Sequence, residues 1–241
     1  MTSSRIACIA LVIAIGLLAI VGAGSQQNSP KQAEPSSRQS SEAKLKLSER
    51  IMLAKARGEG KVMIPATTSL YNEVPDASEF ELLLSRYTII IAEPIQTSSY
   101  IYRAESIRSW YKFKVIETLS AAAPVITHIE RQAPAEFLPI GQDEFLLHRE
   151  GGTVTVDGVQ ASQKELGVPA FAKSRRYLLV LSLNPHTGLA ELPLGANSFL
   201  LLRSDNGLDG ASEPNSLREV VQTYHGGSLE KLKNDLKARK P

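Results

Sequence analysis

Residues 87–117 read YTIIIAEPIQTSSYIYRAESIRSWYKFKVIE, and the way this stretch divides decides the fold. It opens on YTIIIAEPI (87–95), a β-branched apolar run with no polar face. A strand of that kind has to be buried on both sides, so it is expected at the centre of a sheet. SSYIYR (98–103) and SWYKFKVIE (109–117) follow, with the polar residues AESIR between them. The last segment alternates. Tyr111, Phe113 and Val115 fall on one face, and Trp110, Lys112 and Lys114 on the other. Together the three segments read as a meander.

Further strands follow at short spacing. Residues 148–160, HREGGTVTVDGVQ, alternate Val154 and Val156 against Thr153 and Thr155, and Asp157-Gly158 is a two-residue hairpin signal. Gly151-Gly152 lets the chain bend or bulge between this hairpin and the strand DEFLLHRE (143–150) before it. On that strand His148 and Glu150 share a face, with Arg149 opposite. YLLVLSL (177–183) is another unbroken apolar run and a second central strand. NPHTG (184–188) is a turn by composition, and LAEL (189–192) and SFLLLR (198–203) complete the sheet. Residues 119–142 contain Pro124, Pro134 and Pro139. There VITHIE (125–130) is a strand candidate and the rest a long loop. Many short strands without βαβ alternation imply a mainly β domain over 87–203, an antiparallel barrel or a sandwich.

Helices flank it on both sides. Residues 43–86 form an N-terminal helical segment. AKLKLSERIMLAKAR (43–57) places Leu47, Ile51 and Ala54 on one face and stops at Gly58 and Gly60. This is either a basic amphipathic helix on a membrane surface or a helix packed on the domain. SEFELLLS (78–85) carries a capping-box pattern, Ser78 with Glu81, and an apolar face of Phe80, Leu83 and Leu84. The C-terminal helices occupy 204–241. The first has Ser216 and Glu219 as a capping box and Leu217, Val220, Val221 and Tyr224 on one face. The second has Leu229, Leu232 and Leu236 as a stripe.

The N-terminus points to export. Arg5 precedes an uncharged, mostly aliphatic run from Ile6 to Gly22, and small residues follow. Residues 1–24 read as a signal peptide, or as an uncleaved anchor spanning residues 6–22. The periplasm or the extracellular space is the expected location either way. Residues 25–42 are Ser-, Gln- and Pro-rich and read as a disordered linker. The single cysteine, Cys8, lies inside the apolar run. Disulfides, thiolate metal sites and a cysteine nucleophile therefore do not belong to a processed domain. The net charge of +2 and the mixed charge pattern give no basis for nucleic-acid binding.

No catalytic signature is present. The four histidines, His128, His148, His186 and His225, have no HxH or HExxH spacing. There is no GxSxG elbow, phosphate loop or dinucleotide fingerprint. No catalytic residue, metal or cofactor is expected. The best binding candidates are aromatic and basic: Tyr100, Tyr102, Trp110, Lys112 and Lys114, lining an outward strand face suited to a protein or carbohydrate partner. In a bland reading, Trp110 packs under a terminal helix, because a sheet covered on its second face also needs apolar residues there. If the protein is instead a hydrolase assembled from separated loops, His148 and Glu150 are the first residues to test.

The segment order YTIIIAEPI, SWYKFKVIETL, GGTVTVDGV and VPAFAKSRRYLLVLSL resembles a group of uncharacterised secreted bacterial β-proteins, over roughly residues 87–203. In that group a Gly-Glu precedes the YLLVL-type strand, where this chain has Ser174-Arg175-Arg176. The resemblance implies a small closed barrel, similar to the OB-like barrels of netrin and tissue-inhibitor modules, and it carries no catalytic residues. The expectation is an exported, non-enzymatic binding module, or a membrane-tethered structural domain if residues 6–22 are retained.

Overall fold

The computed structural model describes residues 45–67, 76–121, 133–183, 189–205, 207–210 and 215–238. The expected leader (1–24), the linker (25–42), the strand at 125–130, the turn at 184–188, His128 and His186 lie outside the described residues. In chain order the elements are α1 (Leu47–Ala56), β1 (Lys61–Thr67), α2 (Ala77–Leu83), β2 (Thr88–Tyr102), β3 (Ser106–Ser120), β4 (Glu144–Glu150), β5 (Gly152–Val156), β6 (Val159–Glu165), β7 (Arg176–Leu183), β8 (Ala190–Glu191), β9 (Phe199–Leu202), β10 (Leu208–Gly210), α3 (Ser216–Tyr224) and α4 (Leu229–Ala238). The fold is mainly β, with two sheets and flanking helices. Among the described residues no helix is long and apolar enough to cross a membrane.

The expected three-segment meander is a single long hairpin. β2 and β3 pair antiparallel from Ile89↔Ser120 to Tyr102↔Ser106. Gln96 and Thr97, between the first two segments, do not break the strand, because the ladder continues through them and Ser99 bonds across it to Ser109, Oγ to Oγ at 2.7 Å. Pro94 is accommodated where the register shifts between Pro94 and Gln96, as a proline without an N–H requires. The turn is at Arg103 and Ala104, both at positive φ (50° and 59°). That is the pattern of a type I′ hairpin turn. The Ala104 carbonyl is held by the Leu47 amide at 2.9 Å, so α1 clamps the tip.

The larger sheet has the order β10-β9-β7-β2-β3-β4-β8, and β8 also pairs with β7. Its two central strands behave as their composition demands. Ile89, Ile91, Leu178 and Val180 point into one core, shared with Phe80 and Leu84, with Leu217, Val220 and Val221 of α3, and with Leu229, Leu232 and Leu236 of α4. Ile90, Ala92, Leu179 and Leu181 point into the other, with Tyr111, Phe113, Phe145, Leu147, Phe171 and Phe199. Alternate residues of one run thus fill two different cores, which is why the run has no polar face.

The smaller sheet has the order β1-β6-β5, with β1 parallel to β6. Its hairpin turns at Asp157-Gly158, both at positive φ, as the Asp-Gly signal implies. Gly152 marks the passage between the sheets. Its φ is 139°, and a Cβ there would lie 2.2 Å from the Ser109 Oγ. α1 packs Leu47, Ile51 and Ala54 against Ile64, Ile107, Val159 and Ala161. Its apolar face is therefore spent on the domain, in line with the packed reading.

Several local expectations are corrected. The segment 43–86 is helix, strand, helix rather than wholly helical, because KVMIPAT (61–67) forms β1. Its partner β6 lies about a hundred residues away, and no local pattern announces that pairing. Strands also extend beyond 203 to β10. The α2 cap is Asp76, whose side chain accepts from the Ser78 amide at 2.7 Å, not Ser78. The α3 cap is Asn215, which accepts from the Arg218 amide at 3.0 Å, not Ser216. In both cases the side-chain amide or carboxylate oxygen just upstream reaches the first-turn N–H groups first. Tyr224 is exposed rather than part of the buried face.

Candidate binding cleft

Strand register gathers the candidate residues onto one face. Across β2 and β3, Tyr100 pairs with Arg108, Ser98 with Trp110 and Gln96 with Lys112. Across β3 and β4, Arg108 pairs with Glu150, Trp110 with His148 and Lys114 with Glu144. Because side chains alternate with a period of two, Tyr100, Tyr102, Trp110, Lys112, Lys114, His148 and Glu150 all project to the same side. The aromatic-basic group and the His148–Glu150 pair, separate in the sequence, are thus neighbours.

That face is not open along its length, and here the expected exposure of Trp110 and Lys112 is corrected. Residues 133–141 fold back over it. Phe137 is fully buried and packs with Trp110 and Leu146. Gln96 donates to the Glu136 carbonyl at 2.8 Å, and the Ser98 hydroxyl to the Glu136 carboxylate at 3.1 Å. Lys112, only 8% exposed, donates to the Pro139 carbonyl at 2.8 Å and pairs with Glu144 at 2.7 Å. Trp110 is 7% exposed. Lys114 stays outside in an exposed pair with Asp143. The cover over Trp110 is an irregular segment and not the terminal helix of the bland reading, and helical and strand periodicities carried no sign of it.

Beyond the strap, the same face forms a cleft of about 350 Å³, lined by Tyr100, Arg108, Trp110, His148, Leu189, Ala190 and Glu191. The His148 ring sits between two aromatic rings. Its centroid is 4.5 Å from that of Trp110 and 6.0 Å from that of Tyr100, and its Nε2 lies 3.0 Å from the Tyr100 hydroxyl. Burial, then the Arg108 charge, pulls the His148 pKa from the ordinary 6.5 to about 4. The imidazole is therefore neutral at physiological pH. Burial raises the Tyr100 pKa, so its hydroxyl stays protonated. Arg108 pairs with Glu150 at 2.6 Å, and its guanidinium lies 3.6 Å above the Tyr102 ring. Tyr102, Lys112 and Lys114 fall outside the lining.

Four lining residues were missed by sequence reasoning. Arg108 was legible: it stands two residues before Trp110 and so shares its face. Leu189, Ala190 and Glu191 come from β8 and the residue before it, brought in by the single pairing of Ala190 with Leu147. No local signal announces that.

His225 is elsewhere, buried where the helices meet. Its Nδ1 is 2.7 Å from Asp235 and its Nε2 is 3.4 Å from Glu81. It joins α2 and α4 at the end of α3, a structural position. Among the described residues no group of three His, Cys, Asp or Glu side chains is placed to hold a metal ion. Comparison of the chain with protein-family models, with curated proteins and with solved structures found no match.

Proposed function

We propose that this chain is an exported, non-enzymatic binding module of the cell envelope or the extracellular space, built on an OB-like barrel. Its ligand site is the cleft at Tyr100, Arg108, Trp110 and His148. The observation that carries the binding reading is this cleft: aromatic and aliphatic walls beside a few convergent polar groups, at the lower end of the size range of small-molecule sites. The barrel reading is supported by β8, which pairs with β4 on one side and β7 on the other. The pairings thus run β7-β2-β3-β4-β8 with an added β8–β7 link, and Phe113, Phe145, Leu179 and Phe199 from or beside these strands share one core. Export rests on the basic-apolar-small pattern of residues 5–25.

A hydrolase reading is less favoured. A general base works best with a pKa near the operating pH. His148 is pulled to about 4, and Glu150 is held by Arg108.

The test is capture from native envelope extract with the chain lacking residues 1–24, compared with its Tyr100→Ala and Lys114→Ala variants. The expected outcome is a specific partner lost with Tyr100→Ala and kept with Lys114→Ala. Turnover of ester, amide or glycoside substrates that is abolished by His148→Gln would refute the non-enzymatic reading.

A further inference from the structure

The charges around the cleft are arranged in compensated pairs. Arg108 is matched by Glu150 at 2.6 Å. Lys112, further along the same face, is matched by Glu144 at 2.7 Å, and Lys114 by Asp143 at 3.7 Å. His148 adds no charge at neutral pH. Sites that capture phosphate or carboxylate keep an Arg or Lys free to form charge-assisted bonds to the ligand. This face instead sets a carboxylate against each of these cations, and the buried Arg108 Nε is left without a hydrogen-bond partner. Glu191 is the other charged group in the lining besides Arg108, so the lining carries one cation and one anion and no excess of either sign.

The cleft is also closed at one end. Residues 133–141 block the face on the side of Lys112, through Phe137 and the Pro139 carbonyl. A strand or an extended peptide running along the face would collide with this strap. A ligand has to enter end-on. Inside, it meets two kinds of surface: the apolar walls of Trp110, Tyr100, Leu189 and Ala190, and the planar polar groups of Arg108 and Glu191 with the Tyr100 hydroxyl. A guanidinium and a carboxylate each address two adjacent oxygens or hydroxyls at once. The C–H face of a pyranose suits the apolar wall.

We infer that the cleft takes a neutral, polyhydroxylated ligand, a single sugar ring or the terminal residue of a glycan. This rests on the binding-module reading and narrows it to one ligand class. Recognition comes from paired hydroxyls against Arg108 and Glu191, not from net charge. Neutral sugars therefore bind better than their uronic-acid or amino-sugar counterparts, and binding changes little with ionic strength.

Trp110 is the chain's only tryptophan and lines the cleft, so its emission reports occupancy directly. The experiment titrates the chain with glucose, galactose, mannose, N-acetylglucosamine and their disaccharides. Glucuronate, glucosamine and a set of unstructured peptides run in parallel. The expected result is a saturable change in Trp110 emission with at least one neutral sugar, weaker by about tenfold for the charged analogues. The Tyr100→Phe variant keeps the ring and is expected to lose about three- to tenfold in affinity with the hydroxyl's bond. An Arg108→Gln/Glu150→Gln double variant, which removes the ion pair without stranding a charge, is expected to lose at least tenfold. Preferential binding of glucuronate, of glucosamine or of a peptide overturns the sugar assignment and leaves the binding-module reading standing. Silence of Trp110 toward every probe, together with no partner captured from envelope extract, overturns both.

Discussion

The two faces of β2, β3 and β4 belong to the same three strands and the same register, yet they are built on different principles. The inner face carries Tyr111, Phe113, Phe145 and Leu147 and is closed by rings on rings. Phe113 stacks on Phe145 at 5.2 Å, and Phe171 meets both Phe113 and Tyr111 edge-on. The outer face carries Trp110, Lys112, His148 and Glu150. It is closed by ion pairs and a folded-back loop over part of its length, and the rest is left as the cleft. Apolar closure excludes water and leaves no room for a ligand. Polar closure by a strap leaves a rim where strap and strand part, and the cleft lies at that rim.

The sharpest way to break this comparison is to truncate one aromatic from each face. Phe113→Ala is expected to cost about 3–5 kcal/mol, the range for a fully buried Phe. Trp110→Ala should cost less, about 2–4 kcal/mol, because Trp110 borders the cleft and its site can fill with water. Urea unfolding measures both. A Trp110 cost equal to or above that of Phe113 would mean the outer face is a core like the inner one.

Glycine substitutions probe where the two sheets meet. Gly152→Ala combines positive φ with a collision against buried Ser109 and is expected to cost about 1–3 kcal/mol. Gly158→Ala has the same kind of φ but open space around it, so about 1 kcal/mol is expected. Equal costs in thermal unfolding would remove the close approach at Gly152 as the reason for that glycine.

The smallest effect concerns pH. The unfolded chain protonates His148 near 6.5, whereas the folded chain waits until about 4. Between those values the unfolded state binds more protons, so stability falls as pH drops from about 6.5 to about 4 and is unaffected by this group above that window. His148→Gln is expected to flatten that part of the stability curve. The lowered Glu144 pKa adds an acid-side loss common to both proteins, so their difference isolates His148. A Trp110 emission change with a midpoint near 4, absent in the variant, gives the same quantity directly. A midpoint near 6.5 would mean that the ring is solvated and not held between Tyr100 and Trp110.

Local pattern carried far in this chain. The run at 87–95 is buried from Thr88 to Ala92 though Ile95 is exposed, and the Asp-Gly turn and the leucine stripe of α4 are found as stated. The alternation at 109–117 sorts the faces correctly, but Trp110 and Lys112 on its outer face are buried. The failures share a cause. The break between the segments 87–95 and 98–103 was inferred from polarity, but the ladder runs through Gln96 and Thr97, and Ser99 bonds across it to Ser109. β1 was missed because its partner is remote in sequence. The cleft was half legible: Tyr100 and Trp110 were singled out together and His148 apart from them, and the convergence of the three needed the register of three strands.

What the sequence alone determined is therefore the mainly β class, the central strands and the faces of the helices, since each depends on spacing within a single element. Which outer-face residues are sealed and which stay open was decided only in three dimensions. Loop 133–141 and β8 reach that face from distant parts of the chain. Their contacts with Trp110 and Leu147 depend on backbone geometry and burial, which no run of neighbouring residues encodes.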